Sequence, residues 1–260
     1  MSHNFLYTKL IQEFKSHPIL TRKELLTFFR QFEPQLNENT FTWRLFELKK
    51  RNLIGDIGRG IYTIKNKRMF EPILDSCITH INSLINSSQF EPSYCIMDTN
   101  WLCSISDGNL LKSIIVIEAE KSSLEEVFTL LLKNGVRELF LKPDRKTILR
   151  YVANAERPII LKPLLGRSPL QIFDNVYMPS LEKIIVDLWC DSNVYFGIED
   201  RLATFYKSII MNYTINFSKL MTYAKRRNQE NEIKEQLLRV VGPELKMIIK
   251  KNNSLVNATL

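Results

Sequence analysis

The side chains best suited to chemistry in this sequence form a run of cations near its front: Arg44, Lys49, Lys50, Arg51, Arg59, Lys65, Lys67 and Arg68, with Thr40 just before them. A guanidinium grips guanine O6 and N7 with two bonds, threonine bonds base or phosphate, and cations on phosphate add affinity without specificity. At about 100° per residue, Phe41, Leu45 and Leu48 fall on one side of a helix. Thr40, Arg44, Glu47 and Arg51 fall on the other, with Trp43 and Lys50 at its margin. Such a stripe suits the major groove, so double-stranded DNA is the expected partner.

Enzymatic arrangements fare worse. Asp98, Glu118, Glu120 and Lys121 come nearest to a metal-dependent nuclease, in which carboxylates hold a divalent cation and a lysine sits by the attacking water. The spacing is wrong for it, because acid-x-Lys needs one intervening residue. On a strand, Glu118 and Glu120 share a face while Lys121 points the other way. His3, His17 and His80 have no Ser and Asp at triad spacing, and the 8 glycines build no phosphate loop. Cys77, Cys95, Cys103 and Cys190 are scattered, which suits buried thiols in a reducing cytoplasm better than a disulfide or zinc framework. No catalytic residue, metal or cofactor is expected.

Two charged motifs lie further on. Glu182, Lys183 and Asp187 accompany the apolar Ile184, Ile185 and Leu188 at helical spacing and read first as solvated charges. Their other reading is a buried network or a face for a basic partner. Lys225, Arg226 and Arg227 make a second basic surface, diluted by Glu230, Glu232 and Glu235.

These groups need elements to position them. A chain of 260 residues, 45% hydrophobic and 25% charged, suits two folded domains, and no apolar run spans a membrane. Residues 1–70 hold 13 Lys and Arg against 6 Asp and Glu, residues 71–218 hold 14 against 18, and residues 219–260 hold 9 against 4. The basic head calls for a polyanion. Within it, helices are predicted over residues 4–16, from the capping box Thr21-Arg22-Lys23-Glu24, and from an Asn37 or Asn39 cap to about Arg51. Leu53-Ile54-Gly55-Asp56-Ile57 and Ile61-Tyr62-Thr63-Ile64 then flank Gly58-Arg59-Gly60 as a hairpin. Three helices followed by a hairpin predict a winged helix-turn-helix over residues 1–70, with Arg59 at the wing tip.

Residues 71–260 read as a small α/β unit that becomes wholly helical from Leu181. Helices are expected over 72–86, from a capping box at Ser123-Leu124-Glu125-Glu126 to Asn134-Gly135, over 145–153 and over 244–251. Strands are expected at Tyr94–Met97, 114–117, 137–141 and 158–162. The whole is an α+β protein.

Several motifs carry a family resemblance. They are Gly58-Arg59-Gly60-Ile61-Tyr62, Tyr94-Cys95-Ile96-Met97-Asp98-Thr99-Asn100-Trp101-Leu102, Ile115-Val116-Ile117-Glu118-Ala119-Glu120, Leu181-Glu182-Lys183 through Val186-Asp187-Leu188, and Tyr223-Ala224-Lys225-Arg226-Arg227. Together they resemble the AbiEi-type antitoxins of bacterial type IV toxin–antitoxin systems, or an uncharacterised bacterial family related to them. The resemblance implies a cytoplasmic winged helix-turn-helix repressor of its own operon. It also implies a second domain that neutralises a nucleotidyltransferase-like toxin. By the same resemblance Arg44, Lys49, Lys50, Arg51 and Arg59 contact the operator, and no catalytic residue is carried over. The alternatives are a ligand-responsive winged-helix regulator without a toxin and the nuclease above.

Overall fold

The computed structural model describes residues 3–16, 18–64, 68–89, 93–105, 112–196 and 198–242 as a mixed α and β chain. Lys65, Lys67 and the helix expected over 244–251 lie outside the described residues.

The front runs α1 (His3–Glu13), β1 (Ile19–Thr21), α2 (Arg22–Phe32), α3 (Glu38–Lys50), β2 (Gly55–Gly58) and β3 (Ile61–Thr63). Local chemistry explains its breaks. Thr21 Oγ1 accepts from the Glu24 amide at 3.2 Å while Glu24 Oε2 accepts from the Thr21 amide at 2.6 Å, so the capping box forms as spaced. Asn37, not Asn39, caps α3, its Oδ1 accepting from the Thr40 amide at 2.8 Å. Gly60, at φ 68°, supplies the left-handed residue the turn into β3 requires. The strands pair antiparallel in the order β1-β3-β2. β1 has no counterpart in the sequence reading, since three residues before a cap give no periodicity to detect.

One hydrophobic cluster fills this head, with Leu10, Leu20, Leu25, Phe28, Phe41 and Leu45 at its centre. Tyr62 and Ile64 join that cluster, whereas Ile57 and Ile61 on the same hairpin join the core of the body. Alternation along the hairpin therefore ties the two regions together.

The body continues through α4 (Ser76–Asn86), β4 (Tyr94–Asp98), β5 (Ile115–Ala119), α5 (Leu124–Lys133), β6 (Leu139–Leu141), α6 (Arg145–Thr147) and β7 (Ile159–Pro163). A hairpin, β8 (Leu170–Phe173) and β9 (Val176–Pro179), precedes α7 (Leu181–Cys190), α8 (Leu202–Asn212), α9 (Phe217–Arg226) and α10 (Glu230–Val241). The main sheet has the order β4-β5-β7-β6, with β5, β7 and β6 parallel and β4 antiparallel at one edge. Buried parallel strands explain the unbroken apolar runs at 114–117 and 159–161.

Some expectations are corrected. α4 begins at Ser76 behind an Asp75 cap rather than at 72, because Asp75 Oδ1 accepts from the Ile78 amide. Ser123 makes no side-chain cap on α5; its backbone is already helical rather than in the extended conformation a capping residue takes. The helix expected over 145–153 is one short α turn continued by a π-helical stretch, Ile148–Val152. The β8–β9 hairpin has no counterpart in the sequence reading.

Candidate functional site

On α3 the solvent face differs from the one its chemistry suggests. Arg44 turns inward: its side chain is 13% exposed and Nη2 donates to both carboxylate oxygens of Glu33 at 3.0 and 2.9 Å. Its guanidinium lies 5.2 Å from the centre of the Phe29 ring. Lys49 pairs with Asp56 at 3.2 Å and sits over the Tyr62 ring. Arg51, at the end of the helix, is exposed and lies 3.8 Å from Glu47. Thr40 and Lys50 are exposed. The centre of the open face is held by Trp43 and Phe46, which are 56% and 57% exposed.

The hairpin borders this face. Arg22, at the start of α2, donates its amide to Gly60 O at 2.8 Å and its Nη2 to Glu38 and Thr42 on α3. Arg59 is exposed, while its own amide donates to Ser218 Oγ in the first turn of α9 at 2.9 Å. The loop tip thus faces solvent beside α3 and rests on the body. Arg68 is exposed and lines, with Lys49, Asp56, Gln171, Glu182 and Thr214, a groove between head and body.

The solvated-charge reading of α7 is overturned. Glu182, Lys183 and Asp187 are all buried, Lys183 at 1% exposure. Lys183 Nζ pairs with Asp187 one turn on, reaches Glu118 of β5 at 2.8 Å, and lies 3.2 Å from Tyr223 Oη on α9. Lys162 of β7 bridges Glu118 at 3.1 Å and Asp191 at 2.6 Å. Arg227 closes the network, donating to Asp187 at 2.8 Å and Asp191 at 2.7 Å. It therefore leaves the basic surface assigned to it, and Lys225 and Arg226 remain exposed there.

Electrostatics oppose burial throughout this network, though at Asp187 burial still pushes the carboxyl up against the pull of Lys183. Burial alone would raise the Glu118 carboxyl, but Lys162 and Lys183 bring it below its usual range. Burial alone would lower the Lys183 ammonium, and Asp187 and Glu118 hold it well above its usual value instead. Asp191 is likewise lowered against burial by Lys162 and Arg227. Three cations and three carboxylates neutralise one another where β5 and β7 end, clamping α7 and α9 onto the sheet. The signal was present in Lys162, a charge closing an otherwise apolar strand, but its partners are distant in sequence.

The nuclease grouping does not assemble. Glu118 pairs in register with Cys95, and Asp98, three residues on, projects from the opposite face of β4. Asp98 meets Arg157 at 2.9 Å instead, and Arg157 also pairs with Asp75. Burial pushes the Asp98 carboxyl up despite those bonds. Glu120 and Lys121 are exposed. Among the described residues no group of three His, Cys, Asp or Glu side chains is placed to hold a metal ion. Nor is any described helix long and apolar enough to cross a membrane.

No curated protein matches the chain. One family does, over residues 40–241, which takes in most of α3, the hairpin, the main sheet, the buried ion network and the closing helices. The chain therefore belongs to the Family of unknown function (DUF6577).

Proposed function

We propose that this protein is a cytoplasmic, sequence-specific regulator that binds double-stranded DNA through an N-terminal winged helix-turn-helix. The observation that carries the reading is the order α1-β1-α2-α3-β2-β3 with strands aligned β1-β3-β2 and α3 left open. In this reading α3 enters the major groove and Arg59, at the tip of the β2–β3 turn, meets the flanking phosphates. The excess of 13 cations over 6 acids in residues 1–70 favours a polyanion.

The experiment is fluorescence anisotropy of the full chain on its own upstream region and on random duplex, at rising salt. Tighter binding to the upstream region, with affinity falling linearly on logarithmic axes, supports the reading. Absence of binding to any duplex at low salt removes it.

Repression of its own operon and neutralisation of a nucleotidyltransferase-like toxin extend the proposal and rest on the AbiEi-type resemblance. The Leu181–Leu188 stretch that contributes to that resemblance is wholly buried, so a toxin would have to meet another surface. Co-expression with a neighbouring nucleotidyltransferase tests this; unrelieved growth arrest argues against it. The groove between head and body favours a second reading, regulation by a small ligand. Gln171, which lines it, has a buried amide nitrogen without a hydrogen-bond partner among the described residues.

A further inference from the structure

On a straight helix, Asn39, Trp43, Phe46 and Lys50 fall within about 60° of arc, opposite the buried Phe41, Leu45 and Leu48. This is the true outer stripe of α3. It carries two large aromatic side chains in the open, an amide in the first turn and a cation in the last. The arginine suited to guanine, Arg44, lies off that stripe, tied to Glu33 and covered by Phe29. Lys49 is engaged by Asp56.

Resting on the DNA-binding reading, we infer that α3 recognises A·T base pairs, with Trp43 and Phe46 against thymine methyl groups and Asn39 on adenine. The chemistry follows from what each group offers. In the major groove only thymine presents a methyl group, and an apolar side chain gains by covering it. An asparagine amide matches adenine N6 and N7 with two bonds, and the first turn of a groove-bound helix is the part nearest the base edges. Lys50 sits where the helix leaves the groove and takes a phosphate. Exposed aromatics on an ordinary solvated helix gain nothing from water, whereas every other large hydrophobic side chain on α3 is buried. The basic head selects a polyanion to cover them rather than an apolar protein face.

The test selects duplexes from a random pool with the full chain, then replaces thymine by deoxyuridine in the enriched site. That exchange removes only the methyl group. We expect enriched A·T pairs, about a four-fold loss of affinity for each contacted methyl removed, and no such loss in the W43A/F46A double variant. N39A should relax selection at one A·T pair by at least about five-fold. An enriched site that is rich in G·C, or indifferent to deoxyuridine, overturns the inference and leaves DNA binding standing. Failure to retain any duplex removes both. Self-association of the wild-type chain that the double variant abolishes, with DNA binding unchanged, also overturns it, since the aromatic pair is then a contact between copies. Thermal unfolding of the variants should match wild type, because both rings are more than half exposed.

Discussion

α3 and α7 carry similar charged residues to opposite ends. α3 holds five charged residues among its thirteen and leaves an aromatic stripe in solvent; α7 holds three among its ten and buries all of them. The difference lies in what the rest of the chain brings. α7 meets Glu118 from a strand and Tyr223 and Arg227 from the end of α9 and beyond, which partner Lys183 and Asp187, while Glu182 accepts from the Ser180 hydroxyl and the Asn216 amide, so each of its buried charges finds a partner. Among the described residues α3 meets counter-charges along its flanks, at Glu33, Asp56 and Arg22. Burial of charge is decided by available partners, not by the residue that carries it.

The sharpest way to break this comparison is to remove the central cation. Lys183→Met should cost about 3–5 kcal/mol in urea unfolding, because Glu118 and Asp187 are left buried without it. The fraction that remains folded should bind DNA as wild type does. A cost below 1 kcal/mol would show that the network is looser than its geometry.

pH probes the same contrast from both sides. Glu118 and Asp191 titrate below their ordinary range, so their stabilisation is present above about pH 4 and is lost as pH falls through the lowered values. Lys162 and Lys183 titrate above theirs, so their contribution is present below about pH 10 and is lost as pH rises through the raised values. From these four groups, stability by denaturant titration should be flat between these limits and fall on either side, with Asp98 and Asp187, both raised by burial, opposing the acid fall. In Lys183→Met the alkaline fall should shrink.

Arg44→Ala comes next, with an expected loss of about 1–2 kcal/mol from the Glu33 pair and the Phe29 ring. Binding of the folded protein to selected and random duplex should change equally. A loss confined to the selected site would return Arg44 to the base-reading set.

The smallest effect is expected at Arg59. Arg59→Ala should leave stability within about 0.5 kcal/mol. It should weaken binding to every duplex and reduce the salt slope by about one unit. An unchanged slope would show that the loop resting on Ser218 does not reach a phosphate.

Much of the fold was legible in the sequence because it rests on short-range chemistry. Thr21 with Glu24 states where α2 begins, Asn37 can cap α3, and Gly58-Arg59-Gly60 turns a hairpin whose strands alternate. Apolar runs at 115–117 and 159–161 announce buried parallel strands. The strand β1 escaped because its three residues have no turn glycine beside them, and the β8–β9 hairpin because its two-residue turn, Asp174-Asn175 at φ 47° and 60°, reaches the left-handed region without the glycine that marks β2–β3.

The sequence by itself determined the helices and the hairpin of the head, its basic charge and the apolar side of each of those helices, all properties of residues within a few turns of one another. Only the tertiary structure decided which side of α3 remains open. A helical wheel sets the angles between Arg44, Trp43 and Phe46 but not that Glu33 and Phe29 occupy the space beside one of them. Only the tertiary structure, too, brought residues 118, 162, 187, 191 and 227 around Lys183, since a buried ion is stable only where distant strands and helices deliver its counter-charges together.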